Sequence, residues 1–332
     1  MAPDNNLLKR YFNSDVYSIS RLKGDGSDRC IYRAEFESIS AIYIQSPDIN
    51  ENKDFLYLSE ILKEKGIPVP EVYLAADDFS GYIIEDLGHH TLAEVLYGEK
   101  ANDQSFILDA YQKVILLLIE MQGINNGCLK SFLQSRQMGL DIYKADLQYF
   151  KTEFLEQFQY HSLISSNVLS DFNRLMDCLM IVDHHHFVYR DFQSRNFMWV
   201  NNQPVFIDYQ SAMMGSLYYD LGSLLYSSRS GLSQRERDII IKFYFQEKQL
   251  KIDFPDFVNQ LYQFILLRRL RSLGSYGYLS RKGKTHFAEY IPQALKELTQ
   301  LFDQGDLSNF RYIRIMLGAV YDDWLSNTTK CI

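Results

Sequence analysis

Tyr189-Arg190-Asp191-Phe192-Gln193-Ser194-Arg195-Asn196, followed after a short turn by Val205-Phe206-Ile207-Asp208, is the stretch that decides how this chain folds. Asp191 and Asn196 lie five residues apart, close enough for one loop to hold both, and Asp208 comes seventeen residues after Asp191. Phe187-Val188 and Phe197-Met198-Trp199-Val200 are apolar runs flanking the loop, and Asn201-Asn202-Gln203-Pro204 is a turn signal leading to Val205-Phe206-Ile207. The expected order is strand, loop, strand, turn, strand, acid, a compact way of bringing Asp191 and Asp208 together.

A carboxylate, an amide and a second carboxylate in this order suit in-line transfer of a phosphoryl group to a hydroxyl. That reaction needs an oriented nucleophile and neutralised phosphate charge, and positioning plus electrostatics supply most of the rate. Asp191 is the candidate to accept the hydroxyl's hydrogen bond. Asn196 and Asp208 offer the hard oxygen ligands that would hold magnesium across the phosphates of ATP. A polar loop of this kind also arises where Asx side chains merely cap nearby backbone, but Asp208 in register weighs against that reading.

Working outward toward the N-terminus, short strands are expected at 16–19, 30–34 and 41–44, the first two joined by the polar turn Gly24-Asp25-Gly26-Ser27. Phe55, Leu58, Ile61 and Leu62 recur at helical spacing until Gly66, Pro68 and Pro70 stop them, and two more strands, 71–75 and 81–84, precede the turn Glu85-Asp86-Leu87-Gly88. Beyond Thr91 the pattern turns helical, with amphipathic segments near 104–122, 144–160 and 167–181, and the stretch from about Asp220 to Trp324 reads as wholly helical. The expected fold is α+β: a small β-rich N-terminal lobe over 1–88 and a larger, mostly helical C-terminal lobe over 89–332. No internal repeat or low-complexity tract interrupts it.

The chain has 332 residues, 46% of them hydrophobic and 14% aromatic, ample for packed cores. A net charge of -8 argues against a general nucleic-acid binder, which needs an excess of Lys and Arg. Cys30, Cys128, Cys178 and Cys331 are scattered, without a CxxC pair or zinc spacing. No basic start precedes an apolar core at the N-terminus, and no long apolar run suggests a spanning helix. A soluble cytoplasmic protein without a membrane segment is expected; the sequence says nothing of oligomeric state.

The loop resembles that of the aminoglycoside phosphotransferase and choline kinase group of protein-kinase-like folds, most closely the bacterial kinases of N-acetylmuramate and N-acetylglucosamine. Gly24-Asp25-Gly26-Ser27-Asp28-Arg29 with Tyr32-Arg33 is similar to that subgroup's nucleotide-binding turn. Glu85-Asp86-Leu87-Gly88 is similar to its hinge, and Tyr219-Asp220-Leu221-Gly222 to its helix start after the metal-binding acid. Arg269-Leu270-Arg271-Ser272-Leu273-Gly274 through Gly283-Lys284 is similar to its late helical signature. The resemblance implies a two-lobed protein-kinase-like fold with an antiparallel N-lobe sheet, ATP and Mg2+ as cofactors, and a small sugar-like acceptor. Gly24, Asp25, Gly26 and Ser27 would meet the phosphates, and Glu85 and Leu87 would offer backbone groups to adenine.

Departures from the family pattern stand at Tyr189 and Gln193, where histidines are usual, and both bear on the acceptor pocket. Residues 41–45 hold no lysine to meet the α- and β-phosphates, so Arg29 and Arg33 are the candidates to supply that charge. Arg195, within the loop, either faces the acceptor or pairs with a neighbouring acid. Asp220 is expected to hold the loop, capping N–H groups at the start of its helix. His184-His185-His186 reads as a helix end rather than a metal site, and Arg268, Arg269, Arg271, Arg281, Lys282 and Lys284 read mostly as a solvated face. Two rival functions stand beside the sugar kinase: an aminoglycoside or amino-alcohol kinase, and a nucleotide-binding pseudokinase, against which the intact Asp191, Asn196 and Asp208 argue.

Overall fold

A computed structural model describes residues 5–22, 29–98, 100–124, 127–228 and 230–328. Compactness divides the chain into two units, one of residues 1–131 with 193–212, the other of 132–192 with 213–332. The first of these units runs past residue 88, where the sequence reading placed the lobe boundary, and also takes in residues 193–212.

The first unit begins with α1 (Asn5–Phe12), whose buried Leu7, Leu8 and Phe12 lie along one face. Next come β1 (Ser18–Leu22), β2 (Cys30–Phe36) and β3 (Ile39–Gln45). The helix α2 (Ile49–Glu64) then leads to β4 (Val72–Ala75) and β5 (Gly81–Glu85), and the sheet runs β1-β2-β3-β5-β4 with every neighbour antiparallel. β1 begins at Ser18 rather than 16 because it is a largely exposed edge strand, with no buried alternation to mark its ends. On one sheet face Cys30, Tyr32, Ala34, Ala41, Tyr43 and Ile83 form a core with α1. Asp48 caps α2 by accepting from the N–H groups of Asn50 and Glu51, and Gly66, at φ 74°, lets the chain turn out of the helix. Phe55 of α2 stacks between Tyr82 and Tyr209, with ring centroids 4.9 and 4.8 Å away. The helices α3 (Leu92–Tyr97) and α4 (Gln104–Gln122) complete this part, α3 opened by a reciprocal Thr91–Glu94 cap.

The chain continues through α5 (Gly127–Leu133) and α6 (Leu140–Phe150). The segment expected to be one helix over 144–160 instead leaves α6 as a wider turn, Lys151–Glu156, with i→i+5 hydrogen bonding. After α7 (Ser166–Ile181) comes β6 (His186–Val188). The chain then returns to the first unit through a one-turn helix, Ser194–Asn196, and the hairpin β7 (Phe197–Val200) and β8 (Gln203–Phe206). Asn201 and Asn202, at φ 49° and 61°, make the two-residue turn that suits the strand twist. Pro204 faces Trp199 across the hairpin, and Trp199 donates its N–H outward to the carbonyl of His90, so the missing proline N–H breaks no ladder bond.

The second unit resumes with β9 (Met213–Gly215), antiparallel to β6, and α8 (Leu217–Leu225). It then consists of α9 (Gln234–Lys248), α10 (Phe254–Arg281), α11 (Ile291–Gln304) and α12 (Arg311–Thr328) joined by turns, as the helical reading of this stretch expects. α10 lies backbone to backbone against the end of α6: a Cβ on Gly277 would stand 1.9 Å from the carbonyl oxygen of Glu153, and one on Gly274 3.1 Å from the Phe150 backbone. Among the described residues no helix is long and apolar enough to cross a membrane.

Candidate functional site

The loop that carries Asp191 leaves β6 through buried Val188 and Tyr189. Arg190 then takes φ 80°, a conformation that a side chain adopts only when its surroundings hold it there. Asp220 supplies the hold: its carboxylate accepts from the N–H of Tyr189 at 2.6 Å and of Arg190 at 3.0 Å. The helix starts at Leu217, four residues before the Leu221 that a cap at Asp220 implies, so Asp220 lies inside α8 and caps the loop rather than its own helix. Full burial is the main influence on this carboxyl and pushes its pKa up to about 7, with the two N–H groups and Arg268 pulling the other way. Tyr189, one of the departures from the expected pattern, packs its ring on Phe192 at 5.3 Å and is wholly buried, so it shapes the loop through packing.

Arg268 links α10 to the helix that holds the loop. It donates to the Tyr219 hydroxyl at 2.7 Å and the Ser223 hydroxyl at 2.9 Å, its guanidinium lying 4.6 Å from the Tyr219 ring centre. Arg271 pairs with Asp146 at 2.7 Å, Arg269 with Glu297 at 2.5 Å and Arg281 with Glu153 at 2.5 Å. These arginines were expected on a solvated face; Arg269 is instead buried and Arg271 part-buried, each with a carboxylate on a neighbouring helix to offset its desolvation. His184 meets the Tyr143 hydroxyl and the Val182 carbonyl, whereas His185 and His186 both face the Asp183 carboxylate, at 2.5 and 3.5 Å.

Asn196 and Asp208 both belong to the first unit. Asn196 is buried at the end of the one-turn helix, its carbonyl accepting from the N–H of Ile207, which ties the loop to the end of β8. Asp208, at φ 72°, follows directly. Arg29 lies at the start of β2 with Nη1 3.0 Å from Asp208 Oδ1, while its Nη2 and Nε donate to Glu51 at 2.7 and 3.2 Å. Burial works against the Arg29 charge, but Asp208, Tyr82 and Glu51 outweigh it and hold the pKa above the ordinary arginine value. The Gln210 side-chain N–H group donates to Asp208 at 2.8 Å and to Glu51 at 3.2 Å.

Arg33, the other cation proposed for the phosphates, is committed to the hinge turn. It donates to both carboxylate oxygens of Asp86, at 2.6 and 2.9 Å, to the Gly88 carbonyl at 2.7 Å and to a His89 ring nitrogen at 2.7 Å. Glu85 ends β5 with its N–H donating to the Glu71 carbonyl, and Leu87 follows in the turn. Arg195 is part-buried in the one-turn helix. Gly24, Asp25, Gly26 and Ser27 lie outside the described residues. Glu51 and Gln210 are absent from the sequence reading: an acid in the first turn of the helix after the third strand is a faint signal for Glu51, and Gln210 has none.

An amide oxygen and a carboxylate fit a hard divalent cation, and no group of three His, Cys, Asp or Glu among the described residues encloses a metal. Asn196 and Asp208 would hold such an ion.

The chain is similar to two proteins named N-acetylmuramate/N-acetylglucosamine kinase. It is 23% identical to that of Neisseria meningitidis serogroup B, over 89% of each chain, and 23% identical to that of Pseudomonas aeruginosa, over 85% of each. The fold is that of the aminoglycoside phosphotransferase APH(2'')-Ib, with TM-score 0.61 and 16% identity over 90% of this chain and 99% of the other. The choline kinase LicA of Streptococcus pneumoniae shares it, with TM-score 0.61 and 17% identity over 89% and 99%. The model of the phosphotransferase enzyme family matches residues 45–253, which span the sheet's hinge, the loop with Asp191 and Asn196, and Asp208. The chain therefore belongs to the phosphotransferase enzyme family, and it is a small-molecule kinase.

Proposed function

We propose that the protein transfers the γ-phosphate of ATP, with Mg2+, to a hydroxyl of a sugar, most specifically an N-acetylated amino sugar. The observation that carries this reading is the clamp of Asp220 on the Tyr189 and Arg190 N–H groups, which holds the positive-φ turn presenting Asp191. Asp191 accepts the hydroxyl's hydrogen bond and takes its proton as the oxygen bonds to the γ-phosphorus and the bond to ADP breaks. Asn196 and Asp208 hold the cation, which when bound neutralises phosphate charge. Arg29 adds positive charge beside Asp208, Gly24 to Ser27 approach the phosphates, and Glu85 and Leu87 meet the adenine edge. Arg195, between acid and amide, faces the acceptor or an acid beside it. The two relatives at 23% identity favour the amino-sugar acceptor, and dependence on ATP favours the cytoplasm.

The test is phosphate transfer by purified protein to N-acetylmuramate, N-acetylglucosamine, kanamycin and choline, with Asp191→Asn and Asp208→Ala alongside. Turnover of an N-acetylated sugar, lowered at least about 1,000-fold in both folded variants, is expected, since each removes a group acting in the transition state. Turnover of kanamycin or choline alone would move the acceptor class. Full activity in either variant would overturn the assignment of that residue.

A further inference from the structure

Arg29 stands between two carboxylates, Glu51 and Asp208, at 2.7 and 3.0 Å. Its side chain is 11% exposed, theirs 32% and 37%, so the three charges act on one another through a medium far less screening than bulk water. One cation against two anions leaves the group with a formal charge of one unit negative. Glu51 lies in the first turn of α2, where the helix dipole favours an anion, and it takes two of the three guanidinium nitrogens. Nη1 lies 3.0 Å from Asp208 Oδ1. The Gln210 side-chain N–H group, bonded to both carboxylates, keeps them apart without adding charge.

We infer that Glu51 is a positioning residue that holds the Arg29 guanidinium and prevents it from neutralising Asp208, thereby setting how strongly Asp208 draws a divalent cation. The inference rests on the reading of Asp208 as a metal ligand. Without Glu51, Arg29 would turn fully to Asp208 and cancel its charge; without Arg29, both carboxylates would stand uncompensated. The two substitutions therefore act on metal affinity in opposite directions. The double substitution returns the group to one negative charge.

Mn2+ binding in the presence of ADP, read from the electron paramagnetic resonance of free Mn2+, tests this without relying on turnover. Glu51→Gln is expected to weaken Mn2+ affinity about tenfold and Arg29→Gln to tighten it by a similar factor, as one unit of charge does at this range in a partly wet site. The double variant is expected near wild type in Mn2+ affinity, a rescue that mere loss of structure would not produce. Circular dichroism confirms that each variant is folded, and the equally neutral Glu51→Ala replaces Glu51→Gln should the latter not be. Shifts of the two single variants in the same direction, or no shift while wild type binds, would overturn the role of Glu51. Absence of any Mn2+ and ADP binding by wild type would instead overturn the kinase reading beneath it.

Discussion

Asp220 is buried and Asp86 part-buried, and their surroundings push them in opposite directions. Burial dominates at Asp220 and raises its pKa to about 7, helped by Asp191 and opposed by two backbone N–H groups and Arg268. At Asp86 burial also favours the neutral acid, but hydrogen bonds from Arg33, Ser40 and the Gly88 N–H, with the Arg33 charge, outweigh it and hold the pKa below the usual carboxylate range. A raised acid contributes stability below its unfolded pKa of about 4 and loses it as pH rises toward 7. The thermal midpoint of wild type minus that of Asp220→Asn should therefore shrink by several degrees from pH 5 to pH 8, and a flat difference would contradict the shift. Asp86 behaves oppositely, its contribution lasting from neutral pH down to about 4 and fading below. The sequence showed that Asp220 would hold the loop, because its place after Asp208 follows a recognisable order. It did not show that Arg33 belongs to Asp86, 53 residues away, or Arg29 to Glu51, 22 residues away, since ion-pair partners across a sheet leave no spacing to read.

Among the elements, α10 depends most on single atoms. Gly277 has no room for a side chain, so Gly277→Ala must push the helix off the Glu153 carbonyl, with an expected loss of about 3 kcal/mol, the upper end of overpacking costs. Gly274→Ala, with its nearest backbone at 3.1 Å, should cost less, and denaturant unfolding of both variants would rank them. The glycines were visible in the sequence as part of a late signature, but their cause lies in another segment, the end of α6 for Gly274 and the widened turn Lys151–Glu156, which periodicity read as continuous helix, for Gly277. Elements with strong local signals were legible: the Asn201-Asn202 hairpin, α2 up to Gly66, and α4, which spans Gln104–Gln122 as its apolar period suggests. α1 was not, because two turns of helix burying three side chains make too short a pattern.

At the scale of the whole molecule, the α+β class was readable because period-2 runs crowd into the first 85 residues and helical periods fill the rest. The two compact units were not, because the first is assembled from separate pieces of chain: Gln193–Ala212, carrying Asn196 and Asp208, joins the unit that otherwise ends at Ser131. That discontinuity sets an order of events on the ribosome. Synthesis runs from the N-terminus, so the sheet, α3 and α4 emerge while the strand pair that completes their unit is still unmade, and residues 132–192 must come first. The exposed partner surfaces must wait, a situation that favours chaperone capture and slows closure through a long loop. Nascent chains stalled once residue 131 has emerged should be cleaved readily by protease within the sheet, and those stalled after residue 212 has emerged should resist. Equal resistance at both lengths would mean that the sheet matures without its hairpin. If it does not, the cell gains a safeguard: a chain cut short by premature termination before residue 193 is left with an incomplete first unit and open to degradation.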